Sequence, residues 1–317
     1  MRAACCEATV LRNEVIAPDI RLLTVVWPDR DHAPHAGQFF TLRSWGADEA
    51  PFLSRPISVH RWNPDSSTIE FLYQVVGEGT EKLAQLKQQD TFQLTGPMGN
   101  GFDVPDILSK YKKIAVVGGG IGTAPMFQLT RELAAAGVKP DVFFGFRDTP
   151  YCMEEYRSIA NLVKVSTDTG AVGFHGFVTQ LYDPADYDVV LVCGPTVMMK
   201  NAARLCAEKG TPCFVSMEKK MACGIGACLG CTCETKGGPC TPDIFSQGQW
   251  QLLSIARAVA ADPKLLLLDE ITANLDAETE RAVLRALKRA TADRTVLSIS
   301  HRVGADTGRL IPIGEES

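Results

Sequence analysis

Five of the eleven cysteines in this 317-residue chain fall in one glycine-rich stretch: Cys223, Cys228, Cys231, Cys233 and Cys240. Residues 221–231 read MACGIGACLGC, so Cys223, Cys228 and Cys231 stand in C-x4-C-x2-C spacing. Thiolates are soft donors suited to iron–sulfur centres and zinc. The spacing is one used for [2Fe-2S] ligation, and the intervening glycines let a loop wrap closely round the sulfides. Zinc sites usually pair two C-x2-C knuckles and only one is present, so the cluster is the expectation and zinc the alternative. Cys240 is the expected fourth ligand, because Cys233 is one residue removed from Cys231 and cannot easily reach round the same cluster. The remaining cysteines, at 5, 6, 152, 193, 206 and 213, are scattered and need no shared chemistry.

A second chemical feature is the run Gly118, Gly119, Gly120, Ile121, Gly122, Thr123. It follows a predicted strand, Ile114 to Val117, and precedes a predicted helix, Pro125 to Ala136. Glycines there let a pyrophosphate approach backbone N–H groups at the positive end of a helix. The spacing is GGGIG, not G-x-G-x-x-G, and a simple tight turn explains it equally well. Cys193-Gly194-Pro195, at the end of a later predicted strand, strengthens the nucleotide reading, because ligands of such sheets bind at the carboxyl ends of the strands.

The elements that must position these residues come in three rhythms. From Ala8 to about Phe102 short β-rich runs (ATVLRNEVI, RLLTVVW, GQFFTLR, RPISVHRW, TIEFLYQVV, TFQLTG) are punctuated by Gly, Pro, Asn and Asp, with one helical piece at Thr80 to Leu86. That pattern predicts a small antiparallel barrel. From Lys112, strands (Ile114–Val117, Val142–Phe146, Val163–Ser166, Val189–Cys193, Cys213–Met217) alternate with helices, and their continuous apolar runs predict a doubly wound parallel sheet. From Ser246 the sequence turns to an Ala/Leu-rich helix, an apolar strand LLLLDE, another helix and a last strand TVLSIS.

Composition narrows the classes. The net charge of −5 leaves no basic excess to neutralise a phosphate backbone, so nucleic acid is not an expected partner. Hydrophobic residues at 45% and charged residues at 22% match an ordinary globular protein of about two domains. The apolar runs are too short to cross a bilayer and the N-terminus lacks a secretory apolar core, so the expected location is the cytoplasm, where clustered cysteines are more often metal ligands than disulfides.

The barrel and the α/β part together resemble the ferredoxin reductase superfamily, in which a flavin-binding barrel precedes a nicotinamide-binding domain. Arg55-Pro56-Ile57-Ser58 matches its Arg-x-[Tyr/Ile]-Ser pattern; the resemblance implies that the guanidinium pairs with the FAD diphosphate while the adjacent backbone and Ser58 hydrogen-bond the isoalloxazine edge. Leu72-Tyr73-Gln74 resembles the second flavin-contacting strand, and Gly77-Glu78-Gly79-Thr80 the phosphate-binding turn. Gly194-Pro195 with Met198 and Met199 resembles the nicotinamide-side element, although the methionine pair could equally fill core.

With the ACGIGACLGC segment added, residues 8 to 245 are similar to the family of electron-transfer subunits of NAD-dependent dihydroorotate dehydrogenase B. The resemblance implies electrons released on an FMN-containing catalytic partner, passed through [2Fe-2S] and FAD to NAD+ in pyrimidine biosynthesis, and a heterotetramer of two of each chain. One departure bears on the fourth ligand: the stretch between Cys231 and Cys240 is shorter than in the family, and Cys240 is followed by Thr-Pro-Asp-Ile-Phe where a longer, Lys-Asp-Gly-Pro-Val-Phe-like segment is expected. The rival redox reading is an NAD(P)H-dependent flavin and iron–sulfur subunit of a hydrogenase- or sulfite-reductase-type complex; a zinc-stabilised nucleotide-binding module is a blander one.

The C-terminal segment resembles a different family, the nucleotide-binding domains of ABC transporters. Ser246-Gln247-Gly248-Gln249 matches the signature loop, Leu265 to Glu270 the Walker B strand, Asn274-Leu275-Asp276 the D-loop and His301 the switch histidine. In that family the residues matching Asp269, Glu270 and His301 hold Mg2+, polarise the attacking water and sense the γ-phosphate. No G-x-x-x-x-G-K-[ST] phosphate cradle occurs in the chain, so no ATP hydrolysis is expected. The abrupt join at Phe245/Ser246 reads as an accidental union of two genes, which leaves the LLLL strand without a native sheet to join. The expected domains are therefore 1–108 (flavin barrel), 109–217 (nicotinamide α/β domain), 218–245 (cluster domain) and 246–317 (a partial ABC-like fragment).

Overall fold

Buried and more exposed side chains alternate along several of the first strands, such as Phe39–Arg43, the signature of a sheet packed on one face. In the computed structural model the first strands are β1 (Ala4–Ala17), β2 (Ile20–Val26), β3 (Phe39–Arg43), β4 (Arg55–Ser58), β5 (Arg61–Asn63), β6 (Thr68–Gln74) and β7 (Thr91–Met98), with α1 (Glu78–Ala84) between the last two. The structure describes residues 3–29, 31–46, 48–224, 231–235, 238–240, 255, 264–269, 277–290 and 295–299. The chain divides into two units, Met1–Cys231 and Thr232–Ser317.

In the first unit, β1 to β7 form one antiparallel sheet in the order β4-β3-β7-β1-β2-β6-β5, curled into a half-barrel. Register shifts in β1 at Val10/Arg12 and Val15/Ala17 are the irregularities that let a strand bend round such a curl. Trp27, Phe40 and Phe71 fill the interior, with Trp27 and Phe71 each meeting Phe40 edge-on at 4.9 and 5.7 Å. The expected barrel is present and begins at Ala4.

After α2 (Val104–Lys110) the α/β part follows: β8 (Ile114–Gly119), a 3-10 turn over Gly120–Thr123, α3 (Ala124–Ala135), β9 (Asp141–Phe146), α4 (Met153–Ile159), β10 (Leu162–Thr167), β11 (Phe174–His175), β12 (Val189–Cys193), α5 (Thr196–Lys209) and β13 (Cys213–Ser216). All pairs are parallel, in the order β11-β10-β9-β8-β12-β13. Every residue of β8 and β12 is buried, as continuous apolar strands covered on both faces require. The order reverses between β8 and β12, the switch point at which open α/β sheets leave a crevice. Residues 108 and 109, where the barrel and the α/β domain were expected to meet, lie within α2.

Helix α3 is stitched to the barrel. The Trp62 N–H donates to Gln128 Oε1 at 2.9 Å, Arg131 donates to the Trp62 carbonyl at 2.9 Å, and the Ala36 N–H donates to Glu132 Oε1 at 2.9 Å. The two parts of this unit therefore share a polar seam as well as apolar core.

In the second unit, β14 (Cys233–Thr235) and β15 (Gly238–Cys240) pair antiparallel, with Cys233 opposite Cys240. Further on, β16 (Leu265–Asp269) runs parallel to β17 (Thr295–Ile299), with α6 (Ala277–Ala290) between them in sequence. The expectation that the LLLL strand has no sheet to join is thus corrected: β17 supplies its hydrogen-bonding partner. Among the described side chains of α6, Val283 and Leu287, one helical turn apart, are buried.

Candidate functional site

A cavity of about 250 Å³ opens between the half-barrel and the start of α3. From the barrel it is lined by Arg55, Pro56, Ile57 and Ser58 of β4, Leu72, Tyr73 and Gln74 of β6, and Thr80 of α1. These are eight of the nine barrel residues expected to hold flavin. The ninth, Gly79, shapes the wall from behind: a Cβ there would stand 2.9 Å from Arg55 Cδ, so the glycine is what lets the arginine lie across the turn. Thr80 ties that turn together, accepting from the N–H groups of Val76 and Gly77 at 2.9 and 3.1 Å while its hydroxyl donates to the Gly77 carbonyl at 2.8 Å.

The polar groups of the cavity are poised for an anionic, aromatic ligand. Arg55 Nε is buried and makes no hydrogen bond, a donor with no acceptor in the protein, as a bound phosphate oxygen would satisfy. Tyr73 is almost fully buried; burial pushes its phenol up to about 12, so it stays protonated, and its hydroxyl points toward Asn13 Oδ1 at 3.4 Å. The unpaired guanidinium nitrogen beside the Thr80 turn thus fits the charge of a diphosphate such as that of FAD.

The α/β side contributes Ile121, Ala124, Pro125 and, from just beyond β13, Glu218. None of the four was singled out in the sequence. Glu218 is open to solvent, yet the protein packed around it raises its carboxyl above the ordinary range through desolvation.

The glycine run and the Cys193 segment come together as expected, but through packing. A Cβ on Gly118 would meet the Phe144 ring at 2.8 Å, one on Gly119 the Met198 sulfur at 2.5 Å, and one on Gly122 the Gly194 Cα at 2.4 Å. Only Gly120 of the four, at φ +53°, has open space where a side chain would go. Thr123 is buried, its hydroxyl donating to the Gly120 carbonyl at 2.9 Å and its carbonyl accepting from Tyr156 at 2.6 Å. Cys193 is buried at the end of β12, and burial, with the Glu218 carboxylate adding, pushes its thiol up to about 12. It is a neutral thiol, not a nucleophile. Pro195 is exposed beside it, and Gly194 half-buried.

Of the expected cluster ligands, Cys223 and Cys231 are half-buried. Cys228 and the side chain of Cys240 lie outside the described residues. Among the described residues no three His, Cys, Asp or Glu side chains converge on a metal position. Gly224, at φ +69°, turns the chain directly after Cys223 against Met98, where a Cβ would approach the sulfur to 2.7 Å; residues 225–230 of the cysteine loop lie outside the described residues. Ser246, Gly248, Gln249, Glu270 and His301 lie outside the described residues; Asp269 ends β16.

A larger cavity, about 550 Å³, is lined by Arg12, Arg61, Glu70, Arg131 and Glu155 among others and contains none of the predicted residues. Arg61 pairs there with Glu155 and, at 3.3 Å, with Glu70.

Fold and cavity together define a ferredoxin reductase-like oxidoreductase. The chain aligns with a solved NADH-dependent reduced ferredoxin-NADP oxidoreductase at a TM-score of 0.66 and 26% identity, covering 74% of this chain and 84% of that one. The fold is shared with a Neisseria gonorrhoeae ferredoxin NADP+ reductase with bound FAD and NADP, at a TM-score of 0.56 and 16% identity over 67% and 99% of the two chains.

Sequence relatives are more specific. The dihydroorotate dehydrogenase B (NAD+) electron transfer subunit of Clostridium acetobutylicum is 48% identical over 202 residues, 64% of this chain and 78% of that protein. That of Clostridium perfringens is 42% identical over 206 residues, 64% and 80%, and that of Caldanaerobacter subterraneus is 37% identical over 232 residues, 73% and 88%. The chain belongs to the dihydroorotate dehydrogenase B (NAD+) electron transfer subunit family. Separately, residues 235–273 match the ABC transporter family. That match starts ahead of Ser246 and ends before His301. No described helix is long and apolar enough to cross a membrane.

Proposed function

We propose that this chain is the NAD-linked electron-transfer subunit of a dihydroorotate-oxidising enzyme in pyrimidine biosynthesis. The observation that carries the reading is the convergence of β4, β6 and the Thr80 turn on one cavity that contains a buried, unpartnered guanidinium nitrogen. Bound there, FAD would exchange a hydride with NAD+ and single electrons with a [2Fe-2S] cluster, the conversion such subunits need.

The protein's own residues prepare the site. Arg55 and the Gly79-Thr80 turn would hold the diphosphate, and Ser58 with the Pro56–Ser58 backbone would orient the ring edge. Tyr73 gives a flat, protonated wall, and Leu72 and Ile57 exclude water. The nicotinamide nucleotide would enter from the side of Gly120 and Cys193–Pro195, where Gly120 leaves open space beside the turn before α3. Cys223, Cys228, Cys231 and Cys240 are the proposed cluster ligands. Residues 1–108, 109–217 and 218–245 are the proposed flavin, nicotinamide and cluster regions. The partner is an FMN-containing catalytic subunit, two copies of each chain forming the enzyme in the cytoplasm. Residues 246–317 take no part in this chemistry, and ATP hydrolysis is not proposed for them.

The test is reconstitution. Mixed with an FMN-containing dihydroorotate dehydrogenase subunit, the full chain is expected to support dihydroorotate-dependent reduction of NAD+. Failure with a partner that oxidises dihydroorotate using an artificial acceptor would overturn the proposal.

A further inference from the structure

His60 stands two residues beyond Ser58 and has no solvent exposure. Its Nδ1 lies 2.9 Å from the carbonyl oxygen of Ala124. A carbonyl only accepts, so Nδ1 carries the proton and donates. The ring stacks on Phe127 at 4.8 Å between centroids and 26° between planes, while Nε2 is buried with no partner. Burial, opposed by the Ala124 bond, holds the imidazole down to about 4, so the ring is neutral near pH 7. Ala124 is the first residue of α3 and lines the same cavity as Ser58.

A second bond joins the same two segments: His60 lies at the bend between β4 and β5, and two residues on, in β5, the Trp62 N–H donates to Gln128, four residues beyond Ala124 on α3. A phenylalanine could fill the space of His60 without stranding Nε2, a cost of about 1–3 kcal/mol. What the histidine adds is the tether.

We propose that His60 is a positioning residue for hydride exchange: its Nδ1–H bond to Ala124 sets the spacing between the strand that carries Ser58 and the helix start that carries Ile121, Ala124 and Pro125. This rests on the flavin reading of the cavity. The Gln128, Arg131 and Glu132 bonds hold α3 to the barrel further along the helix, and the His60 bond is the tether at the slot itself, where flavin and nicotinamide would meet. Misplacement of reacting groups by about 1 Å can cost a hundredfold in rate.

The experiment uses the full chain with His60→Phe and His60→Asn, the asparagine amide nitrogen standing at the same bond distance from Cβ as Nδ1. In the flavin-free chain, amide exchange of residues 121–127 is expected to quicken at least tenfold in His60→Phe and to return to within threefold of wild type in His60→Asn. With FAD, NADH oxidation by two equivalents of ferricyanide, yielding NAD+ and a proton, is expected to lose at least tenfold in kcat in His60→Phe. The KM for NADH and the flavin bound per chain are expected to stay within twofold, and His60→Asn to restore kcat to within threefold. If His60→Phe does not fold, His60→Gln, whose amide lies one carbon too far, replaces it with the same expectations. Exchange and kcat within twofold of wild type in the tether-less variant, or no recovery in His60→Asn, would overturn the proposal. A wild-type chain that binds no FAD would defeat the flavin reading, and the exchange measurement would still decide the tether.

Discussion

Gly122 backs directly onto Gly194, so closely that a Cβ on Gly122 would stand 2.4 Å from the Gly194 Cα and 2.7 Å from the Cys193 carbonyl oxygen. The obstructing atoms are backbone and cannot swing away. Gly122→Ala is therefore expected to cost about 1–3 kcal/mol through overpacking, and to displace the turn between β8 and α3. Thermal unfolding of the flavin-free chain checks the stability loss, and a raised KM for NADH checks the displacement. An unchanged melting temperature would mean that the two turns do not pack as described.

Arg55 is expected to govern flavin affinity with little effect on the fold, because its Nε is unpaired in the protein and the bond from its Nη2 to the Leu53 carbonyl is solvent-exposed. Charge-assisted hydrogen bonds contribute about 1.5–3 kcal/mol, so Arg55→Leu should weaken FAD binding by about ten- to a hundredfold. Flavin fluorescence titration measures this. Gly79→Ala should move affinity in the same direction by displacing the Arg55 side chain.

His60 gives the protein an acid-side instability. Its folded value, about 4, is below the ordinary 6.5, so the unfolded chain binds a proton first as pH falls. The stability tied to its neutral state is complete above about 6.5, is lost as pH falls toward 4, and amounts to about 3 kcal/mol. Melting temperature against pH should fall less steeply from pH 7 to 4 in His60→Asn than in wild type. Parallel curves would contradict a neutral buried imidazole.

The barrel residues of the site were legible through their resemblance to a family's Arg-x-[Tyr/Ile]-Ser pattern and the segments that go with it, not through alternation, which β4 and β6 lack. Ile121, Ala124 and Pro125 were not, because apolar residues in a helix start carry no chemical signal and reach the cavity only through the way α3 packs on β5. Glu218 reaches it only because β13 lies beside β12. His60 within RPISVHRW reads as an ordinary strand residue until Ala124 appears opposite it. Helix α4 falls where the strand–helix alternation puts one, but its bounds carry no local signal: its first turn is led by Cys152 at φ 60°, with no capping side chain. Helix α2 had a readable signal, Asp103 accepting from the Asp106 N–H at 3.0 Å, with Pro105 in the first turn.

The ABC-like segment is expected to be inert as a nucleotidase. With no phosphate cradle in the chain, ATP turnover by the purified protein should not exceed background, and Glu270→Gln should change nothing. Turnover abolished by that substitution would contradict the expectation.

Anaerobic purification of the full chain, followed by flavin, iron and acid-labile sulfide determination with a visible spectrum, tests the electron-carrier assignment most directly. The account predicts one FAD with about two irons and two sulfides per chain, and absorbance from both flavin and cluster. Zinc with neither flavin nor sulfide would contradict it.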